Sequence, residues 1–152
     1  MAASPPPLPC ACTTVRRASR VLARRFDAAL APSELNVTQF AVLRAIERHP
    51  GESLSAIAED LCMDRTSLYR ALTPLARSGL VALGAAAARR ARSARLTPQG
   101  RRASRRAARH WATTQTGLVG AFGAERWARL ARELEALSRC ARADHPAPRS
   151  KL

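Results

Sequence analysis

Residues 64–70 read DRTSLYR. Arg65 and Arg70 each carry a planar fork of N–H donors that can meet two acceptors at once. Thr66 and Ser67 add short hydroxyls, and Tyr69 adds a ring tipped with a phenol. No nucleophile here sits beside a base. The chemistry on offer is recognition of an acceptor-rich, negatively charged partner. A second basic set follows at Arg89, Arg90 and Arg92.

Nothing else in the chain argues for catalysis, so no enzyme activity is expected. Paired carboxylates, a Ser/His/Asp pattern and a glycine-rich phosphate loop are all missing from the sequence. Cys10-x-Cys12 supplies only two soft ligands where a zinc site needs four, and His49, His110 and His145 show no ligand spacing. No metal or other cofactor is therefore expected. Cys10 and Cys12 do lie in a basic context just before the first helix, which favours the thiolate. They are candidates for a thiol switch or an inter-subunit disulfide, against the plainer reading of two tail cysteines. Cys62 reads as a small buried residue at a turn, and Cys140 lies near the chain end.

Helices must position these groups. Aromatics make up 4% of the chain, so little material suits a large sheet. Thr13–Leu30 reads as a first helix, with Val15, Leu22, Phe26 and Leu30 roughly on one face and Pro32 ending it. Asn36 caps a second helix, with Gln39 completing a capping box and Phe40, Leu43 and Ile46 facing inward. Ser53 caps a short third helix carrying Leu54, Ile57, Ala58 and Leu61. After a tight turn at Cys62-Met63, Asp64 caps a fourth, which buries Leu68, Leu72 and Leu75. Gly79 suits its C-terminus, while Pro74 predicts a kink in its last turn. Leu80–Leu83 and Ala94–Leu96 read as a small basic hairpin. Thr97-Pro98 starts a fifth helix to about Val119, and Gly123 separates it from a last helix with Trp127, Leu130, Leu134 and Leu137 on its apolar face.

Charge points the same way. The 152 residues carry a net charge of +15, and no acid occurs between Asp64 and Glu125. Twelve arginines lie in that gap. Such segregation of sign suggests a polyanionic partner. No apolar run approaches the ~20 residues that cross a bilayer. The opening MAASPPPLPCAC lacks the basic and apolar regions of a signal peptide. A cytoplasmic protein with no membrane partner is expected.

A short helix, a tight turn, a helix with polar residues at its start and a basic hairpin form a winged helix-turn-helix. Such a helix fits the major groove of double-stranded DNA. Arg65 and Arg70 can fork onto guanine O6 and N7, while Thr66, Ser67 and Tyr69 reach bases, thymine methyls or phosphates, the alternative for Tyr69 being to pack against the helix-turn-helix core. Arg89, Arg90 and Arg92 are long enough to enter a neighbouring minor groove.

The segments LNVTQFAVLRAI, LSAIAEDLCMDRTSLYRALTPLARSGLV and ARLTPQGRR, in this order, resemble the MarR family of bacterial transcriptional regulators. The resemblance runs over about residues 13–142. It implies a mainly α fold, with a winged helix-turn-helix over 35–97, dimerisation helices over 13–30 and 98–142, and disordered tails at 1–12 and 143–152. It also implies a homodimeric repressor on a pseudo-palindromic operator, with half-sites roughly 34–36 Å apart. Release by thiol oxidation or by a small aromatic or phenolic effector is implied too. The implied effector pocket places Arg16, Arg17, Arg20 and Phe40 as neighbours. One departure stands out: the wing's usual Asp-x-Arg aligns its Arg with Arg90 but its Asp with Ala88. A looser, more basic wing tip is expected. The competing reading is a charge-driven, nonspecific nucleoid-type DNA binder. A protein- or membrane-interaction domain is a third.

Overall fold

A computed structural model of the chain describes residues 8–85 and 92–143. Its elements run α1 (Ala11–Leu30), α2 (Val37–Arg48), α3 (Leu54–Asp60), α4 (Arg65–Arg77), β1 (Val81–Ala85), β2 (Arg92–Leu96), α5 (Pro98–Phe122) and α6 (Ala124–Ala143). The fold is mainly helical with one two-stranded antiparallel sheet, as expected of a winged helix-turn-helix. The chain divides into two compact units, Met1–Ala112 and Thr113–Leu152, with the boundary inside α5.

Local chemistry accounts for the helix starts. The Asn36 side chain accepts from the Gln39 backbone N–H at 2.8 Å, and Gln39 Oε1 accepts from the Asn36 N–H at 3.0 Å. That reciprocal pair is the capping box. Thr97 Oγ1 accepts from Gly100 N–H at 3.0 Å and donates to Gly79 O at 2.7 Å, so one hydroxyl caps α5 and ties it to the end of α4. α1 begins at Ala11, so Ala11 and Cys12 are helical rather than part of a tail. Pro32 falls in a single 3-10 turn, Ala31–Ser33, directly after α1.

The core of the first unit gathers one face from each element. Leu30, Val42, Leu43, Ile46, Ile57, Leu68 and Leu72 are all essentially inaccessible to solvent. Burying each such side chain stabilises the fold by about 1.5–3 kcal/mol. Trp111 of α5 lies against Phe26 and Phe40, with ring centroids 6.4 Å and 6.3 Å away. In the second unit, Gly123 takes φ +98° between α5 and α6, and the Arg126 guanidinium lies 4.4 Å from the centroid of the Phe122 ring. Leu130 and Leu137 of α6 are exposed.

Pro74 sits inside α4, yet the helix runs on to Arg77. Pro74 faces solvent, where the Arg70 carbonyl that loses its helical donor can find water.

Candidate nucleic-acid interface

α3 and α4 meet through a turn set by backbone bonds. Met63 N–H donates to Ala58 O at 2.8 Å and Cys62 N–H to Glu59 O at 3.1 Å. Cys62 takes φ +52°. This is a Schellman closure, in which the left-handed residue faces out and the next one packs inward. Cys62 is accordingly exposed, not the buried residue that its type suggested, and Met63 packs on the core instead. α4 ends the same way: Gly79 has φ +68° and Leu80 N–H donates to Leu75 O at 2.9 Å.

Asp64 fixes the other end of the turn. Its Oδ1 accepts from Ser67 N–H at 2.8 Å and its Oδ2 from the Ser67 hydroxyl at 2.7 Å. The Ser67 hydroxyl, and then the Ser67 backbone N–H, hold this carboxyl below its ordinary pKa. Ser67 is thus engaged with the cap. The remaining polar residues of α4 follow its 3.6-residue period. With Leu68, Ala71, Leu72 and Leu75 buried, Arg65, Thr66 and Arg70 are exposed and Tyr69 is half-buried.

The sheet brings a third wall. Its register pairs Val81 with Leu96 and Ala85 with Arg92. Ser93 is buried, donates from its hydroxyl to Ala85 O at 3.0 Å and forms an isolated antiparallel bridge with Ser53 at the start of α3. That bridge sets β2 beside α3. A cleft of about 330 Å³ results, lined by Ser53, Leu54, Ser55, Arg65, Leu68, Tyr69 and Arg92. Arg65 Nη2 donates to Ser55 Oγ at 3.2 Å across it.

Three of the sequence-predicted residues, Arg65, Tyr69 and Arg92, therefore share one cleft, with Thr66 and Arg70 exposed on the same helix. Arg89, Arg90 and Ala88 lie outside the described residues. Ser55 and Ser93 were missed as organisers of this surface, because their partners are distant in the chain. A second cluster joins α2 to α3: Arg48 Nη2 meets Asp60 Oδ2 at 2.7 Å, with His49 Nε2 at 3.5 Å. The Arg48 hydrogen bond is the main cause holding the Asp60 carboxyl below its ordinary pKa.

The residues read as effector and redox candidates lie elsewhere. Phe40 is buried beside Trp111, while Arg16, Arg17 and Arg20 occupy an exposed stretch of α1, with Arg20 Nε donating to Arg16 O at 3.4 Å. Cys10 and Cys12 are exposed at the start of α1. The Thr13 side chain, followed by its backbone N–H, lowers the Cys10 pKa by hydrogen bonding. Among the described residues, no helix is long and apolar enough to cross a membrane.

The family model of MarR matches residues 35–82, which span α2 through the first residues of the wing. No curated protein matches the chain in a sequence comparison. Among solved structures, it is similar to the M. tuberculosis transcriptional regulator MosR in complex with DNA. The two share 36% identity over 90% of this chain and 99% of that one, with a TM-score of 0.81. It is also similar to the transcriptional repressor CouR bound to a 23-mer DNA duplex, at 26% identity over 85% and 92% of the two chains and a TM-score of 0.76. CouR is also solved with p-coumaroyl-CoA. The PcaV regulator of Streptomyces coelicolor, with its natural ligand, shares the fold at 22% identity over 93% and 99% of the chains and a TM-score of 0.79. With the wing, the capped α4 and near-full coverage of MosR in agreement, the chain belongs to the MarR family of transcriptional regulators.

Proposed function

We propose that the chain is a sequence-specific DNA-binding regulator acting as a homodimeric repressor on a pseudo-palindromic operator. The observation that carries this reading is the cleft joining Arg65, Tyr69 and Arg92 at the capped start of α4. Charge alone would not require capping and ordering of that kind, so the nonspecific nucleoid-type reading is disfavoured. In the proposal Arg65 and Arg70 read base edges and Thr66, Ser67 and Tyr69 complete the major-groove surface. Arg89, Arg90 and Arg92 reach the minor groove. The DNA-bound MosR and CouR support the partner, and CouR's description as a repressor supports the direction of control.

Exposed Val15 and Val21 on α1 and exposed Leu130 and Leu137 on α6 support a dimer, since a second copy would cover them. Release is assigned to oxidation at Cys10 and Cys12 or to a small aromatic effector near Arg16, Arg17, Arg20 and Phe40. The lowered Cys10 pKa supports the first route, and the p-coumaroyl-CoA complex of CouR supports the second.

Selection from a random double-stranded DNA pool at near-physiological salt, with and without oxidant, tests the reading. A two-fold symmetric consensus is expected, lost under oxidant if the cysteines act as the switch. Binding without a consensus that vanishes as salt rises would establish the charge-driven alternative instead.

A further inference from the structure

Arg65 and Ser55 are ten residues apart in the chain and lie on different helices, yet Arg65 Nη2 donates to Ser55 Oγ at 3.2 Å. Arg65 opens α4, and Ser55 is the second residue of α3. The Schellman turn between the helices brings them together. A guanidinium has five N–H donors, so one bond to Ser55 leaves an adjacent pair for a bidentate acceptor. Arg92, a second cation, lines the same cleft. The Ser55 hydroxyl gives the Arg65 guanidinium a fixed partner within that cleft.

This bond is exposed, so it adds little to fold stability. Its effect lies in conformational freedom. A long side chain held in one rotamer before binding loses less entropy when it docks. We infer that Ser55 is a specificity-determining positioning residue, which holds the Arg65 guanidinium ready for the base edge it reads. This rests on the reading of Arg65 as a base-contacting residue.

The test uses the full chain and two duplexes: the selected consensus, and the same duplex with the guanine pair assigned to Arg65 replaced by A·T. Ser55→Ala should weaken binding to the consensus by about two- to tenfold and leave the replaced duplex unaffected. The slope of log affinity against log salt should not change, because the substitution removes no charge. Ser55→Thr, which keeps the hydroxyl, should restore discrimination. In an Arg65→Ala background, Ser55→Ala should have no further effect.

Equal loss on both duplexes would make Ser55 a sequence-independent contact and overturn the inference. So would a Ser55→Ala loss that persists without Arg65, or no loss at all. If Arg65→Ala itself leaves discrimination intact at every base pair, the assignment of Arg65 has failed. That result is separable, because it appears in the single Arg65 variant before Ser55 is touched.

Discussion

Asp27 Oδ1, near the end of α1, accepts a 2.7 Å hydrogen bond from the backbone N–H of Val37, the first residue of α2. First-turn N–H groups have no intrahelical acceptor. A carboxylate from the preceding helix satisfies this one, and so sets α1 against α2. Asp27→Ala leaves the part-buried donor without its partner. It should cost about 1.5–3 kcal/mol in the free energy of urea unfolding. An unchanged unfolding midpoint would mean that water replaces the carboxylate without loss.

Gly100 packs against the end of α4. A Cβ built at residue 100 would lie 1.9 Å from the Leu80 carbonyl oxygen, a backbone atom that cannot swing aside. Gly100→Ala should therefore force α5 away from the wing and destabilise the first unit by about 2 kcal/mol or more. Thermal unfolding monitored by circular dichroism checks this. A rise in melting temperature, as helix propensity alone would predict, would show that the contact is not held in solution.

The Asp64 cap predicts an acid-sensitive helix-turn-helix. Its folded pKa lies below the unfolded value. Its contribution is therefore fully present above the ordinary carboxylate value of about 3.9 and is lost as pH falls through the lower folded value. Denaturant midpoints of the wild type and Asp64→Asn, compared from neutral to acid pH, isolate this effect. The wild type's advantage should shrink over that window. A constant difference would remove the carboxylate charge from the account.

The exposed Cys10 thiol should be reactive near neutral pH. Hydrogen bonding from Thr13 lowers its pKa, which raises the thiolate fraction at a given pH. Iodoacetamide labelling of Cys10, resolved by peptide mass, should turn up at a lower pH in the wild type than in Thr13→Val. The variant keeps the backbone donor, so the difference reports the Thr13 hydroxyl alone. Equal rates in both proteins would show that the Thr13 bond does not form in solution.

The amino-acid sequence determined what depends on neighbours in the chain. Asn36 with Gln39, Ser53, Asp64 and Thr97 all cap the helices expected of them, because a cap needs only a side chain and an N–H two or three residues on. The alternation of buried leucines along α4, and the basic composition of the surface it presents, were legible for the same reason. Cys62 shows the limit of reading by residue type. Free cysteine favours the interior, but its place as the left-handed residue of the turn faces it outward. Tertiary structure decided the pairings between distant segments. Ser55 with Arg65, Asp27 with Val37, Ser53 with Ser93 and Gly100 under Leu80 all depend on how elements cross. No periodicity encodes those meetings, since packing of the shared core sets the distance between elements. The exposed polar residues at the start of α4 were therefore legible in the chain, and the bond from Arg65 to Ser55 was not.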